Sequence, residues 1–362
     1  MPASKKILVS GGAGFVGRHL IDHLLNDDPS AEIWVVDDLS TGQLPTQWEL
    51  YRVAEVAPGN GVRRFEWEGQ AGRGFNFIQA NFIAVLAGEL GYAPRLDLPE
   101  LPVFDEAYHL ASIVGGRAVI EGQPLLVGVD LAIDSLFFLW AAKLGKVKRI
   151  LYASSSAAYP VNLQRDEDAI RLDESMIDFD NGVLAPDLTY GWSKLTGEYL
   201  ARIAVQKHGI PVGVVRPFSG YGEDQDPTYP VPAIALRVAA RQNPVRVWGS
   251  GLQGRDFVHI DDCARGLIMT CRQVSDASAV NLSSGVLTSF LDVAKLMVRL
   301  EGFDAPVTGT DNRPVGVAKR YGGCEQSERL IGWRASIGIE EGMLRVVRHA
   351  RWRLANGYEP KL

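Results

Sequence analysis

Short apolar runs alternate with longer amphipathic stretches through the first two thirds of the chain. Lys6-Ile-Leu-Val-Ser10 has the look of a buried strand, and His19-Leu-Ile-Asp-His-Leu-Leu25 has apolar residues at helical spacing. The alternation continues through Glu32–Asp37, Phe75–Gln79, Ala107–Ala111, Lys148–Ser154 and Val212–Arg216, all read as strands. Helices are predicted within Leu86–Leu101 and over Leu125–Leu144 and Tyr190–His208. This rhythm predicts a parallel sheet with helices on both faces. Beyond Arg216 it loosens. The proline-rich Asp226–Pro232 leads into a helix ending at Ala240, Val245–Trp248 and Asp256–Ile260 are short pieces, and Asp261–Gln273 reads as a helix. Gln43–Arg73 is polar, with two tryptophans, and reads as an excursion from the core: a lid, a partner surface or a variable surface insertion.

The first turn changes the picture from a fold to a binding site. Gly11, Gly14 and Gly17 follow the first strand and open the first helix. Glycine permits a sharp strand-to-helix turn and the close approach of a pyrophosphate, which then sits on the positive end of the helix. The second strand ends in Asp37, about 20 residues further on, where a dinucleotide-binding unit places the acid that grips a ribose hydroxyl. Asp37-Asp38 would repel a 2′-phosphate, so NAD is expected rather than NADP. The expected architecture is therefore α/β: a Rossmann-type doubly wound parallel sheet with a smaller C-terminal substrate-binding lobe. Residues 1–218 with parts of 248–280 would form the NAD-binding domain, and 219–247 with 281–362 the lobe.

Composition adds exclusions. With 362 residues, 46% of them hydrophobic, the chain can bury a large core. A formal charge of −6 argues against nucleic acid as a partner, because phosphate backbones need a basic face. Cys263, Cys271 and Cys324 have no metal-ligand spacing, so no metal is expected, and an odd count without a framework fits a reducing cytoplasm. The chain enters a strand almost at once, leaving no room for a signal peptide. No run of about 18 apolar residues is apparent, so no membrane span is expected.

Candidate chemistry lies further on. Tyr190-Gly-Trp-Ser-Lys194 places a phenol and an ammonium four apart on one helix face. A tyrosine with a pKa near ~10 is a poor base at neutral pH, but a neighbouring Lys⁺ and an oxidised nicotinamide ring both favour the phenolate. Such a phenolate can take a proton from a substrate hydroxyl while hydride leaves the same carbon. The fifth strand ends in Ala153-Ser-Ser-Ser-Ala-Ala-Tyr-Pro160, at the sheet edge where doubly wound folds bind ligands. A serine there can share the reacting proton.

With these residues in view, the chain resembles the extended short-chain dehydrogenase/reductases of the NAD-dependent epimerase/dehydratase family, whose members act on nucleotide sugars. The resemblance rests on Gly11–Gly17, Asp37–Gly42, Ser154-Ser155, Tyr190–Glu198, Arg216–Gly222, Trp248–Asp262 and Ile331-Gly-Trp333. It implies that Tyr190 is the base, Lys194 its partner and Ser155 the assisting hydroxyl. The implied NAD contacts are Gly11, Gly14, Phe15, Val16 and Gly17 in the turn, then Asp37, Asp38 and Ser40. Asn81, Phe82, Leu110, Ala111 and Ser112 follow, with Tyr190, Lys194 and Pro217. For the sugar nucleotide it implies Gly115, Gly116, Ser155, Ser156, Tyr190, Ser219 and Val247. Arg255 would hold the diphosphate with a second arginine, either Arg313 or Arg320; the planar guanidinium suits a diphosphate because it donates two bonds at once.

Departures from the family narrow the reaction. The Asp-Glu pair of the 4,6-dehydratases is replaced by Ser156-Ala157, and the acid/base cysteine of the GDP-mannose 3,5-epimerases by Ala157. What remains is oxidation and re-reduction at one carbinol, as in a C4 epimerase working through a 4-keto sugar on a UDP-, GDP-, CDP- or dTDP-hexose. A 3,5-epimerase-like enzyme, a dehydratase or a 4-ketoreductase stays open if Asp173, Glu174 or Glu223 supplies an acid, and Arg117 could meet a sugar hydroxyl or carboxylate. A non-catalytic NAD-binding protein is the remaining alternative, although such proteins usually lose the Tyr or the Lys. Asn81, Asp130-Leu131 and Ser219 stand where the family has an acid, asparagines and an asparagine. Helices 125–144 and 190–208 resemble the family's dimer interface and imply a homodimer.

Overall fold

Ile7, Leu8 and Val9 have no exposed surface, as expected of a strand covered on both faces. Ile7 and Val9 pack into one hydrophobic cluster and Leu8 into another, the strand alternation that separates the two faces of the sheet. The computed structural model describes residues 4–59, 61–115, 117–165, 169–310 and 316–359. Gly116 and Arg313, both expected at the sugar-nucleotide site, lie outside the described residues.

Among the described residues the main sheet has nine strands, in the order Asp276–Leu282, Val212–Pro217, Ile150–Ala153, Glu106–His109, Lys6–Ser10, Glu32–Asp37, Gly74–Gln79, Arg63–Trp67, Val53–Ala57. The first seven run parallel. The chain order reverses beside Lys6–Ser10, so the strand ends at Ser10, His109, Ala153 and Pro217 line the crevice where such sheets bind ligands. A third cluster, including Tyr221, Val231, Val245, Val293, Met343 and Val347, lies apart from the sheet. It is built largely from helices Pro230–Ala239, Phe290–Glu301 and Ile339–Ala355.

Two readings change. Gln43–Arg73 is not an excursion: Val53–Ala57 and Arg63–Trp67 form an antiparallel hairpin that widens the sheet. Its apolar positions are few but alternate, and Trp48, Phe65 and Trp67 bury against Phe75, with Trp48 stacked on that ring at 5.4 Å. The second concerns Pro124–Leu144, which is long and apolar enough by length and composition to cross a membrane, contrary to expectation. One face of it packs into the second cluster through Ile133, Phe137 and Trp140, while Leu125 and Leu126 are exposed. Asp130 and Asp134 on it are buried; Asp130 accepts from Ser112 Oγ and Ile113 N–H, and Asp134 bonds His109 and Tyr152. Leu131, Leu139, Trp192 and Tyr199, on the two helices expected to pair between subunits, are exposed.

Candidate active site

The glycine turn is dictated by contact. Gly11 has φ +70°, and a Cβ there would lie 2.8 Å from the Ala111 Cα. A Cβ on Gly17 would lie 2.5 Å from the Gly12 Cα. Helix Phe15–Asp27 begins at Gly14 with, among the described residues, no side-chain cap and no acid in its first turn. Its leading N–H groups are therefore open to an anion, and the turn fits the pyrophosphate of NAD. Phe15 and Val16 pack partly buried against the first cluster.

The two acids after the second strand differ. Asp37 is buried, and its oxygens accept the N–H groups of Ala13 at 2.9 Å and Leu39 at 2.8 Å. Burial raises its pKa. Asp38 is also partly desolvated, yet hydrogen bonds from Ser40 and the Asn81 amide hold its carboxyl below the usual range. Asn81 Oδ1 meanwhile caps the next helix at Ala84 N–H. The Phe82 ring is buried beside His109 and Phe137, so only its main chain is left to face a ligand. The N–H groups of Leu110 and Ala111 both donate to Ser10 Oγ, tying together two strand ends under the turn. Pro217 closes its strand opposite Leu282.

Helix Leu188–His208 starts against the turn Ser156–Ala158. Asp187 N–H donates to Ala157 O at 3.0 Å, and a Cβ on Gly191 would lie 2.4 Å from that same oxygen. Gly191 thus brings the first turn of this helix, with Tyr190, onto the segment that follows Ser155. Ser155 Oγ accepts the Ala157 N–H at 3.1 Å, which leaves its own proton to donate. Lys194 is buried, with its Nζ 5.7 Å from the ring centre of Tyr190 and as far from that of Tyr152. Burial would lower its pKa, but the charges of Tyr190, Asp134 and Asp130 outweigh this and raise it. Lys194 therefore stays cationic beneath the phenol. Under it, Glu198 and Arg216 form a buried two-pronged ion pair at 2.9 and 2.7 Å, which holds the helix to the strand ending at Pro217.

Arg255 and Arg320 are register partners of two short parallel strands. Arg320 Nη2 bonds Asp187 at 2.8 Å and its Nε bonds Gln164. Arg117 Nη1 spans both Asp187 oxygens at 3.0 and 2.9 Å, and its Nε pairs with Glu121. Arg255 Nη1 bonds Gly254 O at 2.7 Å. Burial and the charges of Arg320 and Arg117 push the Arg255 pKa down to about 9. Burial lowers Arg320 as well. Asp187 is held below the usual range: burial opposes this, but Arg320 and Arg117 prevail. Three guanidiniums gathered around one buried carboxylate, with Glu121 also on Arg117, have the donor chemistry of an anion site.

Ser156 and Val247 are buried, and half-buried Ser219 donates its N–H to Asp256 O. Of the possible extra acids, Glu174 accepts Asn281 N–H and Glu223 pairs with His259 and Arg345. Asp173 lies beside Arg171. Gly115 packs against Val119. The sequence reading missed Asp187, Gln164 and Tyr229. Burial, first, and the charge of Tyr190 raise the Tyr229 phenol.

The sequence model of the NAD dependent epimerase/dehydratase family matches residues 7–68 and 97–283. An uncharacterised UDP-glucose epimerase of Bacillus subtilis is 26% identical over 341 residues, covering 93% of this chain and 95% of its own. The UDP-glucose 4-epimerase of Thermotoga maritima, solved with UDP-glucose, superposes with a TM-score of 0.76 at 21% identity, covering 96% of this chain and 99% of that one. That of Thermus thermophilus, solved with NAD, superposes with a TM-score of 0.74 at 21% identity and the same coverage.

Proposed function

The chain belongs to the NAD dependent epimerase/dehydratase family, and on that premise we propose that it is a nucleotide-sugar C4 epimerase with Tyr190 as its base. Bound NAD supplies the hydride acceptor and donor. Tyr190, with the Lys194 ammonium 5.7 Å from its ring centre, takes the C4 hydroxyl proton, and Ser155 Oγ donates a hydrogen bond to the same oxygen. The resulting 4-keto sugar turns over in the cleft and receives its proton back from Tyr190 with C4 inverted. The arginines hold the diphosphate meanwhile, and the sugar stays tethered.

One observation carries the choice of C4. The positions after Ser155 are Ser156 and Ala157, both buried, and Glu174 and Glu223 already have structural partners. Proton transfer at C3 or C5 needs an acid/base that these positions do not supply. The test is to incubate the holoenzyme with UDP-, GDP-, CDP- and dTDP-hexoses in D₂O and follow products by NMR. The expected product has C4 inverted and no deuterium on ring carbon. Deuterium at C3 or C5 overturns the scheme. The Tyr190→Phe protein should retain NAD and turn over about 10²–10⁴-fold more slowly.

A further inference from the structure

Asp187 stands where an N-cap belongs. It precedes helix Leu188–His208 with φ −77° and ψ 92°, outside the helical region, yet its side chain makes no capping bond among the described residues. An N-cap aspartate normally accepts the backbone N–H two or three residues on. Here those are Thr189 and Tyr190. The carboxylate is instead turned away, onto Arg117 and Arg320. The residue between is also out of place. Leu188 has φ +55°, a left-handed conformation that a leucine adopts only against steric opposition.

These three facts describe a carboxylate with two destinations. On the arginines it fills the place of an external anion and leaves the helix start uncapped and Leu188 strained. At the helix start it would accept the Tyr190 N–H and let Leu188 relax to a right-handed φ. We propose that Asp187 is a positioning residue: an internal anion that the substrate diphosphate displaces from Arg117 and Arg320, and whose release caps the helix start and sets Tyr190. This rests on the reading of Tyr190 as base, and it makes Arg117 a third anion-binding side chain beside Arg255 and Arg320.

The experiment measures inorganic pyrophosphate binding to the NAD-loaded enzyme by calorimetry, with kcat on whichever nucleotide sugar is turned over. Asp187→Ala and Asp187→Asn both remove the competing anion, and only the asparagine can still cap. Both variants should bind pyrophosphate about three- to tenfold tighter, a gain of less than about 1.4 kcal/mol. Asp187→Ala should lose about tenfold in kcat, and Asp187→Asn should recover most of it. Unchanged or weaker pyrophosphate binding in Asp187→Asn overturns the proposal, as does an equal loss of kcat in both variants. A carboxylate needed only to support the fold would weaken binding and give no rescue. Pyrophosphate requires no knowledge of the sugar, so this binding result stands even if the product is not a C4 epimer.

Discussion

The glycine turn and the arginine cluster both present donors suited to an anion, and they are made in opposite ways. The turn is one continuous stretch, Gly11 to Gly17, and its donors are main-chain N–H groups at a helix start with no charged side chain among them. The cluster draws Arg117, Gln164, Asp187, Arg255 and Arg320 from five separate segments, and its charge needs an internal carboxylate to be tolerated while buried. A main-chain site depends on steric room, which neighbouring residues specify. A side-chain site depends on convergence, which only the finished fold supplies.

The contrast breaks most readily at the turn. Gly17→Val drives a side chain into Gly12, whose Cα would be 2.5 Å from the new Cβ. Overpacking of this kind costs about 1–3 kcal/mol or more. The purified variant should lack NAD in an acid extract and unfold at a lower temperature; wild-type NAD content would show that the turn is not held as described. At the cluster, Arg255→Ala should do the converse. Losing a charge-assisted contact costs about 1.5–3 kcal/mol, so KM for the nucleotide sugar should rise about 10- to 150-fold with NAD content and unfolding temperature kept. If NAD were lost as well, the two sites would not be separable.

The smallest effect lies on helix Phe15–Asp27 itself. His19, on the helix that follows the turn, bonds Asp224 at 2.7 Å and Tyr51 at 2.9 Å. Burial alone would lower its pKa, but Asp224 and Asp261 raise it. Asp224 is held far below the usual range: burial opposes this, and His19 and Arg18 prevail. A histidine raised in the fold stabilises fully below its unfolded value, about 6.5, and less as pH climbs through the raised one. A depressed aspartate stabilises above about pH 4 and less as pH falls. The denaturation midpoint should therefore decline as pH rises from 6 toward 9, and Asp224→Asn should flatten that slope. A level wild-type profile would remove His19 from the account.

Much of the molecule was legible beforehand. Strand Lys6–Ser10, the glycine turn, strand Glu32–Asp37 and the helix bearing Tyr190 and Lys194 all came from spacing within a few residues, because apolar period, glycine need and helix face are local properties. The hairpin at 53–67 was hidden because charged residues alternate with its three apolar anchors, and a half-buried strand looks polar when read as a run. Strand Asp276–Leu282 went unread for a similar reason, opening on Asp276-Ala-Ser-Ala before its buried end.

By itself, then, the sequence determined six parallel strands of the sheet, the glycine turn and the tyrosine–lysine pair. Tertiary structure alone decided that Arg320 is a register partner of Arg255, that Arg117 reaches Asp187, that Asn81 caps a helix, and that Asp187 lies on the arginines and not on its own helix. An arginine or aspartate has the same local pattern whether it ends in water or against a partner 70 or 133 residues away, as Asp187 does with Arg117 and Arg320. Its role is settled by what the fold brings opposite it, and by the cost of burying a charge without a counter-charge.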